Sequence, residues 1–253
     1  MNKHEAMLRE LNLYPLWKRR VPSLPPEAKA PVEGCVIEPL IRDISDTVSQ
    51  DPTQPQKPVP GEAEASSLNW PELKQRVTGC TACRLRAGCT QTVFGVGDEK
   101  ADWLFVGEGP GADEDAQGEP FVGQAGKLLD SMLAAITLKR GKNVYIANIV
   151  KCRPPNNRTP TMDEIAQCLP YLHRQIELLQ PKLIVALGKV ASNAILGQDA
   201  TLASLRQAQH DYHGIPVIVT YHPAYLLRSP MEKAKAWLDL RLAVKVMTQA
   251  GHE

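Results

Sequence analysis

Apolar residues follow two alternating patterns along the chain from about residue 66 onward. Short, nearly continuous apolar runs are separated by longer stretches in which apolar residues recur every three or four positions. The short runs are typical of buried strands, and the longer periodic stretches are typical of helices with one buried face. The runs that predict strands are 103–107, 144–149, 183–187 and 217–221. The stretches that predict helices are 123–136, 161–179, 189–196 and 232–247.

This alternation predicts the fold class. Strands that alternate with helices indicate an α/β protein, and we expect a three-layer α/β/α fold with a central four-stranded parallel sheet. At the start of the helix 161–179, Thr161 and Glu164 have the spacing of an N-terminal capping box. Ligands of such folds bind beyond the carboxyl ends of the strands. The residues that follow each strand are therefore the candidates for a functional site.

The first 65 residues have a different composition. Residues 1–20 are expected to form an N-terminal helical segment, with the helix itself over 4–20. Residues 21–65 contain nine of the chain's 21 prolines and are predicted to be a flexible or extended linker. The helical segment could dock a protein partner, or the whole region could lack a role of its own. The folded domain is predicted to span 66–253.

Composition narrows the class of protein. The 43% hydrophobic and 23% charged residues are typical of a soluble globular protein. No apolar run reaches the roughly 20 residues that span a bilayer, and the N-terminus lacks the apolar core of a signal peptide. We expect a cytoplasmic monomer without membrane contact, whose six cysteines are metal ligands or free thiols rather than disulfides. With a net charge of +1, nucleic-acid binding would require a local basic patch.

A glycine-rich loop follows the first predicted strand. Its residues 107–111 read Gly-Glu-Gly-Pro-Gly, and the acids Asp113, Glu114 and Asp115 come directly after. Glycines after a strand allow a ligand to approach the backbone, but carboxylates repel phosphate. The loop therefore favours a neutral, flat ligand over a nucleotide phosphate, and a divalent cation is an alternative. Phe121 follows the loop and could stack on a base or pack in the core.

Two polar side chains stand at the ends of other predicted strands. The amide of Asn148 carries a donor beside an acceptor, which matches the N3–H and O4 of uracil and mismatches cytosine. The imidazole of His222 could donate a hydrogen bond to a developing oxyanion. Each could instead have a purely structural role. Lys151, Arg153 and Arg158 either supply the positive charge that a phosphate backbone requires or belong to a solvated loop.

Four cysteines have the spacing of metal ligands. Cys80 and Cys83 form a Cys-x2-Cys pair, and Cys152 and Cys168 follow later in the chain. Four thiolates at this spacing can bind zinc or a [4Fe–4S] cluster. Cys89 could replace Cys83, whereas Cys35 in the linker is expected to be a free thiol.

Four motifs and this cysteine framework resemble a known family. GEGPGADED, EPFVGQAGKLL, NIVKCRPPNNRTP and HPAYLLR, in this order over about residues 70–247, are similar to the iron–sulfur uracil-DNA glycosylases of bacteria and archaea (family 4). The resemblance implies a DNA-repair enzyme that hydrolyses the N-glycosidic bond of deoxyuridine, releasing uracil and leaving an abasic site. It also implies a [4Fe–4S] cluster on Cys80, Cys83, Cys152 and Cys168, without Cys89.

The resemblance assigns further roles by position. The implied uracil pocket consists of Glu108, Gly109, Pro110, Phe121, Asn148 and His222, with Glu114 placed to exclude the methyl group of thymine. A related family has a water-binding carboxylate where this chain has Gly109, so Asn157 is the candidate for holding the water. The implied partner is uracil-containing DNA, single- or double-stranded. The expected DNA contacts are Lys151, Arg153, Arg158, Leu226 and Arg228, with Leu226 or Tyr225 filling the vacated base stack.

Two other functions are compatible with parts of this pattern. The first is a binding module that holds uracil in DNA without turnover. Some relatives bind uracil-DNA covalently, through an extra basic loop that contains a histidine. The comparable segment here, 138–142, reads Leu-Lys-Arg-Gly-Lys and contains no histidine. A redox or nucleotide-binding iron–sulfur protein is the second alternative, and the acidic glycine loop disfavours it.

Overall fold

The structure is a computed structural model, and it describes residues 66–250 of the chain. The predicted helix 4–20, the linker 21–65 and Cys35 lie outside the described residues. None of the helices in the described part has both the length and the hydrophobicity that a bilayer-spanning helix requires.

The described residues form one sheet with helices on both faces. The strands are β1 (Val96–Gly97), β2 (Trp103–Gly107), β3 (Val144–Asn148), β4 (Leu183–Leu187), β5 (Gln209–Tyr212) and β6 (Ile215–Thr220). The α-helices are α1 (Trp70–Thr78), α2 (Leu85–Gly88), α3 (Ala112–Gln117), α4 (Gln124–Ala135), α5 (Met162–Leu179), α6 (Lys189–Leu196), α7 (Leu202–Leu205), α8 (Pro223–Arg228) and α9 (Lys233–Ala250). Short 3-10 turns span Pro155–Asn157 and Pro230–Glu232.

The sheet confirms the predicted α/β class but has six strands instead of four. Its order is β1-β3-β2-β4-β6-β5, and the four predicted strands β2, β3, β4 and β6 pair in parallel. The added strands β1 and β5 are antiparallel edges. They were missed because β1 has two residues and β5 has the polar sequence Gln-His-Asp-Tyr, so neither forms an apolar run.

Alternate residues of the strands pack on opposite faces of the sheet. In β2, Leu104 and Val106 belong to a core shared with α1, α5 and α6, whereas Trp103 and Phe105 belong to a core shared with α4 and α9. This arrangement is the predicted three-layer architecture, and it follows from the two-residue repeat of a strand. The capping box at Thr161 and Glu164 is confirmed, with hydrogen bonds in both directions at the start of α5.

A buried ion pair anchors the end of β6. Arg206 donates to Asp239 through Nε at 2.7 Å and Nη2 at 3.0 Å, and both side chains are almost fully buried. Asp239 also accepts from the hydroxyl of Thr220, the last residue of β6, at 2.8 Å. These bonds fix the point at which the chain leaves the sheet towards His222.

Candidate active site

A cavity of about 430 Å³ opens at the carboxyl ends of β2, β3 and β6. This is the edge at which ligands of parallel sheets bind. Most of the site residues predicted from the sequence line it: Glu108, Gly109, Pro110, Glu114, Phe121, Asn148, Asn157, Arg158, His222 and Arg228. The cavity is also lined by Gly111, Ala125, Pro154, Thr159, Ala224 and Tyr225. Most of these additional residues have small or apolar side chains, whose chemistry does not mark them as site residues in a sequence.

Asn148 places an unpaired amide oxygen in this cavity. The side chain is 2% exposed, and Oδ1 is the one buried side-chain polar atom between residues 66 and 249 that lacks a hydrogen-bond partner. Leaving a buried acceptor unsatisfied costs about 1–3 kcal/mol. The free oxygen therefore indicates a ligand that brings a donor into the cavity.

Gly107 makes room for the two side chains that face each other at this point. A Cβ atom added at Gly107 would lie 2.5 Å from Oδ1 of Asn148 and 2.5 Å from Cζ of Phe121. Both distances are well inside van der Waals contact. The first glycine of the loop is therefore required by the close approach of Asn148 and Phe121.

The rings of Phe121 and His222 stand side by side in the wall. Their centroids are 5.5 Å apart, and their planes are inclined by 31°. Nδ1 of His222 accepts a hydrogen bond from the backbone N–H of Ala224 at 3.2 Å, because His222 is the N-cap of α8. A neutral imidazole has one N–H, so this bond places the proton on Nε2.

The charge state of His222 follows from its surroundings. Burial in the cavity wall, together with the nearby cation of Arg228, lowers the pKa of His222 to about 4, against the opposing effect of the Glu114 carboxylate. The ring is therefore neutral at pH 7, and its Nε2–H is a donor that carries no charge.

Glu114 ties the glycine loop to the segment around Phe121. Its carboxylate accepts hydrogen bonds from the backbone N–H groups of Gly111 at 3.0 Å, Val122 at 2.8 Å and Gly123 at 3.0 Å. A carboxylate held by three donors is fixed in position. Glu108 lies in the same wall, and burial raises the pKa of its carboxyl group, opposed by a hydrogen bond with Thr159.

The positive side chains near the cavity differ in their hydrogen-bond and ion-pair partners. Arg153 donates from Nε to Oδ1 of Asn157 at 2.8 Å and so orients that amide. Arg158 forms a two-pronged ion pair with Glu164 at 2.8 and 2.7 Å, and this pairing lowers the pKa of Glu164 to about 2. Arg228 is exposed at the rim. The charge of Arg158 is thus shared with an internal partner.

The structure contradicts the predicted DNA contact of Lys151. Its side chain is 1% exposed, and Nζ donates to the backbone oxygen of Asn148 at 2.9 Å and to Oε1 of Gln175 at 2.6 Å. Burial lowers its pKa to about 8. Lys151 turns into the core below the end of β3, so it supports the backbone of Asn148 and cannot reach a phosphate at the surface.

The predicted DNA contact of Leu226 is also wrong. Leu226 is 1% exposed and belongs to the same buried core as Phe121. Successive residues of a helix point about 100° apart, so the neighbours of a buried residue face outward. Tyr225, which was the alternative, is 39% exposed and lies on the cavity wall.

The four predicted metal ligands line a second, smaller cavity. Cys80, Cys83, Cys152 and Cys168 surround it together with Lys151 and Tyr171. Every cysteine in the described part, including Cys89, is a free thiol. Within residues 66–250, no three His, Cys, Asp or Glu side chains are placed to hold a single metal ion.

The thiols affect one another electrostatically. Burial raises the pKa of Cys152, and the neighbouring thiols Cys89, Cys168 and Cys83 raise it further. Donors also face the sulfur atoms: the hydroxyl of Tyr171 donates to Sγ of Cys80, and the backbone N–H of Lys151 donates to Sγ of Cys168, both at 3.2 Å. Because burial and the neighbouring thiols disfavour the charged form, thiolates at this site would need a positively charged group beside them.

Comparison with known proteins identifies the family. Residues 94–241 match the sequence model of the Uracil DNA glycosylase superfamily. The Type-4 uracil-DNA glycosylase of Archaeoglobus fulgidus is 44% identical over 178 residues, which cover 67% of this chain and 89% of the relative. The enzyme of the same name from Thermotoga maritima is 44% identical over 179 residues, which cover 66% of this chain and 93% of the relative. The chain therefore belongs to the uracil DNA glycosylase superfamily.

Proposed function

We infer that this chain is a DNA-repair uracil glycosylase, a hydrolase that cleaves the N-glycosidic bond of deoxyuridine in DNA. The Type-4 relatives, which are 44% identical, support this function. The observation that carries it is the unpaired Oδ1 of Asn148 in a cavity shared with Phe121 and His222.

The cavity is suited to hold a base that has left the helix. Such enzymes extrude the nucleotide or act on single strands, because the reacting bond is inaccessible inside a duplex. Uracil would donate from N3–H to Oδ1 of Asn148 and accept at O4 from the Asn148 amide nitrogen, while Phe121 stacks on the ring. Cytosine presents the opposite pattern at both atoms and would leave buried groups unpaired. We propose that the wall around Glu114 excludes the methyl group of thymine.

The proposed chemistry uses His222 as a neutral donor. As the glycosidic bond breaks, the sugar gains oxocarbenium character and negative charge develops on O2 of uracil. The Nε2–H of His222 would donate to that oxygen. A fixed donor of this kind typically contributes about 3 kcal/mol, or about 100-fold in rate. Asn157, oriented by Arg153, is proposed to hold the attacking water.

DNA binding is proposed to involve the rim of the cavity. Arg158 and Arg228 line the cavity, and Arg153 lies outside the lining but is hydrogen-bonded to Asn157 in it. All three would contact phosphates. Tyr225 is the exposed aromatic side chain beside it and would fill the space left by the extruded base. Single- and double-stranded DNA could both enter by this route.

We propose that Cys80, Cys83, Cys152 and Cys168 hold a [4Fe–4S] cluster. The support is that these four thiols line one cavity beside the buried cation of Lys151, which would offset the negative charge of four thiolates. When bound, the cluster would supply a cross-link between the segment before β1, the loop after β3 and the helix α5. Free thiols are also expected of a cytoplasmic protein.

Two serine substitutions separate the proposed ligands from the fifth thiol. Cys83→Ser should lower the bound iron and sulfide and the visible absorbance of the purified protein, because it removes a ligand. Cys89→Ser is the matched control and should retain both, since Cys89 does not line the same cavity. Loss of iron in Cys89→Ser with retention in Cys83→Ser would reverse the assignment.

A substitution at Gly107 tests whether the pocket needs the space below Asn148 and Phe121. Gly107→Ala should lower uracil excision about tenfold, because overpacking of this kind typically costs about 1–3 kcal/mol. Gly79→Ala is the control, since a Cβ atom at Gly79 would meet its nearest neighbour at an ordinary 3.7 Å. Equal excision rates for the two variants, measured in single turnovers, would contradict the close approach.

The function itself is tested by product analysis. The full-length protein is incubated with labelled oligonucleotides, single-stranded and duplex, that contain one deoxyuridine, and with matched thymidine and deoxycytidine oligonucleotides. We expect free uracil and an alkali-labile abasic site from deoxyuridine alone. A heat-resistant protein–DNA band without free uracil would favour a covalent binding protein. If neither free uracil nor a protein–DNA band forms, the proposed function is contradicted.

A further inference from the structure

Phe121 has a backbone conformation that phenylalanine does not favour. Its φ angle is +56°, in the left-handed region that residues other than glycine rarely adopt. The side chain is nevertheless buried, and the ring faces His222 in the cavity wall. A strained residue keeps such a conformation only when its surroundings hold it there. The contacts that hold the backbone of Phe121 therefore determine where its ring stands.

One of these contacts is the start of α4. A Cβ atom at Gly126 would lie 1.8 Å from the backbone oxygen of Phe121 and 2.1 Å from its carbonyl carbon. The helix thus packs directly against this peptide, and only glycine allows that approach. The contact limits the movement of the Phe121 carbonyl on one side.

On the N–H side of the same peptide, Glu114 accepts from Val122, as described above. A third contact, made to the carbonyl oxygens, is the guanidinium group of Arg140. Nη1 donates to the backbone oxygen of Pro120 at 2.8 Å, and Nη2 donates to the backbone oxygen of Phe121 at 2.7 Å. Nε donates to Oδ1 of Asp130 in α4 at 3.0 Å. The side chain of Arg140 is 22% exposed, so these bonds are shielded in part from water. A planar group with fixed donors can make all three bonds at once, whereas a lysine cannot.

We propose that Arg140 is a positioning residue for the stacking ring of the pocket. It acts through Phe121: the guanidinium links α4 to two successive carbonyls and so holds the left-handed backbone that presents the ring to the base. The inference rests on the proposed function and adds a determinant of substrate positioning. It also gives the basic segment 138–142 an internal role, because its arginine faces the protein and not the DNA.

The proposal is tested by a double-mutant cycle with single-turnover excision of uracil. Arg140→Lys keeps the positive charge but loses the planar guanidinium group with its fixed donors. We expect the rate of excision to fall about tenfold, as for other small errors of substrate placement. In a Phe121→Leu background the same change should have less than about a twofold effect, since the ring through which it acts is gone. Lys139→Gln is the control for charge in the same loop and should excise at the wild-type rate.

A readout independent of activity separates this proposal from the proposed function. Amide hydrogen exchange of residues 121–126 should be faster in Arg140→Lys than in the wild type and unchanged in Lys139→Gln. If Arg140→Lys folds poorly, Asp130→Asn removes only the anchor of the guanidinium and should give a smaller effect in the same direction. Unchanged excision and exchange, or equal effects of Arg140→Lys with and without the Phe121 ring, would overturn the proposal. A wild-type protein that releases no uracil would refute the proposed function and leave the exchange experiment decisive for Arg140.

Discussion

His222→Ala is expected to lower the single-turnover rate of uracil excision by about 100-fold or more, because it removes a fixed donor to the departing base. The affinity for uracil-containing DNA should change little, since the rim arginines remain in place. Excision rates and binding by fluorescence anisotropy measure the two effects separately. His213→Asn is a suitable control, because His213 is exposed in the turn between β5 and β6 and asparagine tolerates its left-handed backbone. An unchanged rate in His222→Ala would remove this residue from the mechanism.

The lowered pKa of His222 gives the same residue a pH signature. The imidazole is neutral above a pH of about 4 in the folded protein, so excision should not decline as the pH falls through the ordinary histidine value of 6.5. Between these two values the unfolded chain binds a proton at this position and the folded protein does not. The contribution of His222 to stability is therefore lost as the pH falls from 6.5 to about 4. A decline in excision centred near pH 6.5 that is absent in His222→Ala would contradict the neutral-donor role.

Asn148→Asp is the second substitution with a large expected effect. A carboxylate would present an acceptor to O4 of uracil, which is itself an acceptor, and would be charged in a buried site. We expect uracil excision to fall about 100-fold or more, because a mismatched buried polar group costs several kcal/mol. Single-turnover rates at saturating enzyme isolate this effect from DNA binding.

The control for this substitution is Asn69→Asp at the N-cap of α1. The new carboxylate keeps an oxygen that can accept from the backbone N–H of Glu72, as the asparagine does at 3.1 Å. It should therefore leave excision unchanged. Full activity in Asn148→Asp would mean that another group reads the edge of the base.

Those elements of the fold were predictable whose buried residues form a recognisable apolar pattern in the sequence. The strands β2 and β4 are buried at every position, so the apolar runs predicted both ends of each strand correctly. The edge strand β5 alternates exposed and half-buried polar residues, and its position depends on pairing with β6, which no local pattern reveals. The helices α3 and α8 were not predicted either. Each has only six residues, which is too short for a repeating apolar pattern to stand out.

The site was predictable where residue type and position at a strand end were sufficient. This rule predicted Asn148 and His222, and the resemblance to the family added Phe121; the three line one cavity. It failed for Lys151 and Leu226, because the sequence does not show that their side chains point into the core. Arg140 had no signal at all, because its role depends on the left-handed backbone of a residue 19 positions earlier.

A crystal structure of the full-length protein with free uracil tests most directly whether Asn148, Phe121 and His222 together hold the base. Density for the ring should lie against Phe121, with N3 about 2.9 Å from Oδ1 of Asn148 and O2 within hydrogen-bond distance of Nε2 of His222. Uracil bound elsewhere, or bound in this cavity with Oδ1 of Asn148 still unpaired, would contradict the proposed recognition and with it the assigned roles of all three residues.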